Sequence, residues 1–316
     1  GIAKLGLSKD IPVSQFPAKL VLELRSLTRK YYDLTDERSA HINKLKGDLH
    51  TVFPQYLDVF CDVTGKTSTM ILRQYGTPDK ILRGHKKTMI EKISKASRKG
   101  LAKASERYEK LCAAANAAKT FGCQIDSIYF NIFLTLDLVE KLDSALDSIL
   151  NRIRQLITFN KNEKFIQQIK LLNTIPGVGF LTAVTIMCEI GDFSAFRNPK
   201  QLFAYFGLDP EVNESGKFVG TQLHMSKRGS RIARRAIFAV ALASIRTKRN
   251  GEGINPYLRK YYELKSGQKP KMVAIGAVMH KVCNIVFAVL RDEKAFELRS
   301  PEEHCKQYQR PALAAA

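Results

Sequence analysis

Leu171-Leu172-Asn173-Thr174-Ile175-Pro176-Gly177-Val178-Gly179-Phe180-Leu181-Thr182-Ala183 sets two apolar helical stretches on either side of a turn built from Pro and two glycines. Pro and Gly make the turn tight, and the next helix starts at once. Its first N–H groups have no partner within the helix and point at one spot, where a phosphate oxygen can accept them. This matches the helix–hairpin–helix pattern. Such a contact uses backbone alone and is blind to base sequence; the plain alternative is an ordinary turn between helices.

The composition around this hairpin narrows the partners. The chain has 316 residues, 45% of them hydrophobic, with Lys+Arg 51 against Asp+Glu 30, a net charge of +21. Excess charge of one sign opposes compaction unless a polyanion neutralises it, so nucleic acid is the first partner to expect. No apolar run nears the roughly 20 residues that span a bilayer, and no basic amphipathic terminal helix points to a membrane surface. The six cysteines (Cys61, Cys112, Cys123, Cys188, Cys283, Cys305) form no Cys-x-x-Cys pair and give no zinc spacing. A reduced cytosol fits.

Apolar periodicity predicts a mainly α chain. Residues 18–60 hold a first long helix, with Leu20, Leu24, Leu27, Tyr31, Leu34, Ile42, Leu45, Leu49 and Val52 at spacings of three and four, ending at Pro54. Residues 61–125 read as a separate basic helical insert. Thr77-Pro78 opens a helix there, and Arg98-Lys99-Gly100 breaks a run of Lys and Arg in two. That run is either a solvated face or a track for a phosphate backbone. Residues 126–163 hold the second long helix, seamed by Ile132, Val139, Leu142, Leu146, Ile149, Ile153 and Leu156 with Thr135 the one polar member. The two long helices are expected to form an antiparallel coiled coil tipped by the insert, or the same seam pairs protomers. Residues 164–296 form a helical domain with at most a small β-hairpin, expected to turn at Gly220 between Lys217-Phe218-Val219 and Thr221-Gln222-Leu223. A helix over 230–249 and an apolar helix over 270–290 follow. Residues 297–316 read as a loosely held tail, and 1–17 as the end of something upstream.

Chemistry concentrates in that last domain. Asn213-Glu214-Ser215-Gly216 places a hydroxyl in a short polar loop, though Ser beside Gly is usually turn chemistry. A serine nucleophile needs its target phosphate clamped, and Lys217, Lys227, Arg228, Arg231, Arg234 and Arg235 surround it in sequence. Arg231, Arg234 and Arg235 share a helix face, suited to bidentate phosphate contacts. Ser226 either caps the helix that follows or binds a phosphate. His224 and His280 are acid–base candidates by type alone. Asp192, Asp209, Glu211 and Glu214 show no spacing that predicts a metal site.

Four segments occur in order: Ile175-Pro176-Gly177-Val178-Gly179; Phe203-Ala204-Tyr205-Phe206-Gly207-Leu208-Asp209-Pro210; Glu214-Ser215-Gly216; and Met225-Ser226-Lys227-Arg228-Gly229-Ser230 with Arg234-Arg235-Ala236. The string resembles the C-terminal domain of insertion-sequence-110 family transposases (the 116/110/902 type), which are related to site-specific DNA invertases. The resemblance is close over residues 165–295, and Tyr75-Gly76-Thr77-Pro78 with the long helices looks like the family's middle. It implies a DNA recombinase that moves a mobile element under the guidance of a structured bridge RNA. It implies a catalytic serine, carried onto Ser215, that attacks a DNA phosphate and forms a covalent protein–DNA intermediate. It further implies Mg²⁺ held by four acidic residues of an N-terminal RNase H-like domain, and a dimer or tetramer built through the coiled coil.

The family's last acidic motif is followed by a segment like Ile2-Ala3-Lys4-Leu5-Gly6-Leu7, which here stands next to Gly1. The expectation is a fragment that starts just past that motif, lacks the four acids and is inactive alone. The competing reading is a non-catalytic nucleic-acid-binding or structural protein that uses only the hairpin and basic helices. A DNA-repair accessory leaves the Ser215 and arginine segments unexplained.

Overall fold

The computed structural model describes residues 18–121, 123, 125–211, 214–215, 218–219, 224–300 and 302–303, with backbone alone at 121, 214, 215, 218 and 219. The described chain is helical apart from two paired strands of two residues each. It divides into two compact units. One takes residues up to Arg29 and from Asn151 onward, and the other is Lys30–Leu150. The long helices α1 (Lys19–Val52) and α7 (Asp126–Phe159) each pass from one unit into the other.

In the Lys30–Leu150 unit, α1 and α7 run antiparallel. Arg38 binds the Asp143 carboxylate through Nε and Nη2, and the Tyr129 hydroxyl donates to the Val52 carbonyl at 3.4 Å, so numbers rise on one helix as they fall on the other. Between them come α2 (Tyr56–Val59), α3 (Lys66–Gln74), α4 (Pro78–Arg83), α5 (Lys86–Ser97) and α6 (Leu101–Phe121). Thr77 caps α4 by accepting from the Lys80 N–H, with Pro78 in the first turn. Arg98, left-handed at φ 53°, separates α5 from α6. One core joins Leu49, Phe53 and Tyr56 to Ile71, Ile93, Leu111 and Ile132. The segment expected as a separate insert therefore shares its core with both flanking helices. The reason is local: the rings of Phe53, Tyr56 and Phe60 pack against one another in tilted pairs just past α1 and need the insert to cover them.

The other unit holds α8 (Lys164–Leu172), α9 (Phe180–Ile190), a 3-10 turn (Phe193–Ala195), α10 (Pro199–Tyr205), β1 (Glu214–Ser215), β2 (Phe218–Val219), α11 (Arg231–Ser244), α12 (Pro256–Ser266) and α13 (Lys271–Asp292). Contrary to the sequence expectation, α13 is long and apolar enough to cross a membrane by length and composition. Here it packs on α8, α10, α11 and α12, burying Ala274, Val278, Val282, Cys283, Val286 and Leu290. Helix α11 ends at Ser244 rather than near Arg249. The chain turns there because Ile254 and Asn255 donate N–H groups to Arg246 and Ser244 carbonyls, and Thr247 bridges to Gly253.

Candidate nucleic-acid interface

The hairpin between α8 and α9 is a tight turn. The Val178 N–H donates to the Ile175 carbonyl at 2.9 Å, with Pro176 second and Gly177 third at φ +95°. Pro then a positive-φ glycine is the type II arrangement. Gly177 is also needed for space, because a Cβ there lies 2.7 Å from Ser244 Oγ. That hydroxyl donates to the Pro176 carbonyl at 3.1 Å, fastening the turn to the C-terminal end of α11. Gly179 differs. It is the N-cap of α9 with extended backbone, no side chain caps the helix, and a Cβ on it meets nothing within 4 Å. The first N–H groups of α9 thus face outward past an uncluttered glycine.

The residues after α10 build a ribbon. Glu211 donates to the His224 carbonyl at 2.7 Å, Ser226 to that of Asp209 at 2.8 Å and Lys227 to that of Gly207 at 3.0 Å, and Pro210 bridges antiparallel to Met225. Further out, Glu214 pairs with Val219 and Ser215 with Phe218. The hairpin therefore turns between Ser215 and Phe218, not at Gly220. This register puts Ser215 in the last described pair. Asn213, Gly216, Lys217 and Gly220 to Leu223 lie outside the described residues, as does the Ser215 side chain.

The foot of the ribbon explains two glycines. Gly207 has φ +65°, and a Cβ on Gly229 falls 1.9 Å from the Tyr205 carbonyl oxygen. Backbone runs against backbone there, locking the Phe203–Pro210 and Met225–Ser230 segments together. Ser226 is neither a helix cap nor an open hydroxyl: its Oγ lies 2.5 Å from Asp209 Oδ1, donating to the carboxylate. Ser230 caps α11 instead, accepting from the Ala233 N–H at 3.1 Å.

The expected arginine clamp divides. Arg234 donates through Nη1 to the carbonyls of Phe206 at 3.1 Å and Gly229 at 2.7 Å, and desolvation pulls its pKa below the usual guanidinium value. It braces α11 against α10. Arg231 is exposed and Arg235 half-buried on the same helix, while Lys227 (φ 53°) and Arg228 are exposed at its approach. Fourteen residues of α11 at about 1.5 Å each put the hairpin end roughly 20 Å from the arginine end.

His224 is exposed. The His280 ring lies on Phe203, and desolvation, then Lys281, hold it below the ordinary imidazole range. Among the described residues no group of three or more His, Cys, Asp or Glu could hold a metal ion. Asp192 is turned onto Ser194 and Asp209 onto Ser226, so these two carboxylates are engaged by neighbouring hydroxyls and do not form a Mg²⁺ site among the described residues.

One cluster went unread in the sequence. Glu189, 3% exposed on α9, receives Arg29 Nε at 2.8 Å and Nη2 at 2.9 Å. Arg25, one turn earlier on α1, donates Nε to the Cys188 carbonyl at 2.7 Å. Burial raises the Glu189 pKa, but hydrogen bonds from Arg29 and Ser230 outweigh it and hold the carboxyl below its usual range. A single Glu in the otherwise uncharged helix Phe180–Ile190 was the available signal, since a buried carboxylate requires a partner.

What the geometry defines is a helical unit with a backbone hairpin, a two-stranded ribbon and a basic helix start. Residues 169–263, under a third of the chain, match the model of the family described as "Transposase IS116/IS110/IS902 family". An "Insertion element IS110 uncharacterized 43.6 kDa protein" of Streptomyces coelicolor is 23% identical over 286 residues, 90% of this chain and 66% of the relative. The "Pilin gene-inverting protein" of Moraxella bovis is 30% identical over 177 residues, 56% of this chain and 52% of its own length. A "Transposase for insertion sequence element IS1111A" of Coxiella burnetii is 26% identical over 188 residues, 58% and 50% of the two chains. The chain thus spans about half to two thirds of these relatives.

Proposed function

We propose that this chain holds and cuts DNA as part of a transposase or site-specific recombinase of a mobile element, with Ser215 as nucleophile. The observation that carries the reading is the ribbon. It is rooted on the two glycine-locked segments inside the family match and ends its pairing at Ser215. In the reaction the Ser215 Oγ attacks a DNA phosphorus. An Oγ–P bond forms, one P–O bond to deoxyribose breaks, and the serine proton leaves with the released sugar hydroxyl. Lys217, Lys227, Arg228, Arg231 and Arg235 serve the phosphate charge, and the N–H groups past Gly177 and Gly179 hold a second phosphate away from the reacting one. Arg234 acts by fixing α11. Mg²⁺, the guide RNA, and assembly into a dimer or tetramer through a coiled coil of α1 and α7 complete the proposal. The metal ligands are expected on an RNase H-like domain outside this chain, and the setting is the prokaryotic cytosol.

The test is a nicked suicide duplex offered to the protein together with the acid-bearing domain, followed by denaturing electrophoresis and peptide mass spectrometry. The expected result is a DNA adduct on the peptide containing Ser215, absent in Ser215→Ala, which still binds DNA. Strand exchange by Ser215→Ala at the parent rate sinks the assignment. DNA retention without any adduct supports instead the non-catalytic binding reading.

A further inference from the structure

The cavity beside α9 shares only Arg228 with the proposed clamp on the reacting phosphate. It has a volume of about 490 Å³ and is lined by Arg25, Arg29, Glu189, Tyr205, Arg228 and Ser230. Three arginines and one carboxylate line it, leaving two positive charges in excess. The carboxylate is not a competing acceptor, since Arg29 holds both its oxygens and only 2% of that side chain is exposed. Its effect is to fix the plane of the Arg29 guanidinium, half of whose side chain remains exposed. Arg25 is fixed in the same way by its Nε bond to the Cys188 carbonyl. The Tyr205 hydroxyl donates to the Glu189 carbonyl at 3.1 Å and steadies that wall. Two pre-oriented guanidinium groups one helical turn apart, with Arg228 and the start of α11 also in the lining, suit a tetrahedral dianion or two adjacent phosphodiesters.

We propose that this cavity is a phosphate site, in which Arg25, Arg29 and Arg228 take the phosphate oxygens while Glu189 positions Arg29. The proposal rests on the nucleic-acid reading only for the source of the phosphate, which is either a nucleic-acid backbone or free phosphate. It adds the start of α1, remote in sequence from the ribbon, to the interface.

The test uses Arg25→Gln/Arg228→Gln, which leaves the Arg29–Glu189 pair intact, and Arg29→Gln/Glu189→Gln, which removes both charges together. Circular dichroism melts check folding. Each protein is titrated with inorganic phosphate by calorimetry and with a duplex DNA across a salt series. Loss of phosphate binding, with a several-fold weaker duplex affinity and a salt slope shallower by about 0.9 per lost contact, supports the site and assigns it to the backbone. Loss of phosphate binding with unchanged DNA affinity supports the site with free phosphate as its ligand. Arg25→Gln/Arg228→Gln that binds phosphate and DNA as the parent does overturns it. A parent protein that fails to retain DNA sinks the functional reading, while the phosphate titration still decides this one.

Discussion

Gly177 and Gly179 stand two residues apart and answer to different demands. Gly177 combines φ +95° with a Cβ position 2.7 Å from Ser244 Oγ, so Gly177→Ala is expected to cost about 1–3 kcal/mol in urea melts. Gly179 has φ −83° and open space around it. Gly179→Ala is expected to change stability by less than about 1 kcal/mol while weakening duplex affinity, because the added methyl would stand where the proposed function puts a DNA phosphate. Equal stability losses at the two positions contradict this division. Both glycines were legible in the sequence, since Pro-Gly-x-Gly between apolar runs has few conformations. The Arg29–Glu189 pair was not. Its members are separated by 160 positions, and only the isolated charge in an apolar helix hinted at it. Because Glu189 titrates below its unfolded value near 4.5, its contribution is fully present above that value and is lost as pH falls through the lower folded one. Acid unfolding followed by fluorescence is expected to begin at higher pH in Arg29→Ala, which leaves the carboxyl buried without its partner.

Helix limits followed sequence where a cap or breaker stood at the end. Thr77-Pro78 and Asn198-Pro199 start helices as such pairs do, and each cap side chain accepts from an N–H in the first turn. Limits set by distant contacts were not legible. α11 stops at Ser244 because that serine is claimed by Pro176 and Asn255. The ribbon turn escaped for a related reason: several Gly and polar residues in a row allow more than one register, and no apolar alternation selects among them. At the break between α5 and α6, Arg98 sits at φ 53°, where an L residue carries roughly 1 kcal/mol of strain. Arg98→Gly is expected to raise the denaturation midpoint slightly, and a lower midpoint indicates that the arginine side chain contributes more than its backbone costs.

For the whole molecule, the net charge of +21 is the dominant electrostatic fact. Self-repulsion weakens as salt screens it, so the thermal midpoint of the free protein is expected to rise between low and moderate NaCl. Scanning fluorimetry measures this, and a falling midpoint means that attractive ion pairs prevail over the repulsion. Some of the basic run is used internally: Lys92 lies 5.6 Å from the Tyr75 ring centroid, and Arg107 lies 5.7 Å from that of Phe60. The fold class was legible because strong three-four periodicity dominates the chain. The division into units was not, since it falls inside two unbroken helices rather than at a linker.

Helix α11 carries the hairpin at one end and its arginines at the other, and under the proposed function it would work as a ruler. A single DNA strand advances about 3.4 Å per nucleotide, so the roughly 20 Å between those ends corresponds to about six nucleotides. With the hairpin fixed on one phosphate, the position where a strand is held against Arg231 and Arg235 is then set by the length of α11, not by base identity. Inserting four residues into α11 lengthens it by about 6 Å, and the cut should move by one or two nucleotides.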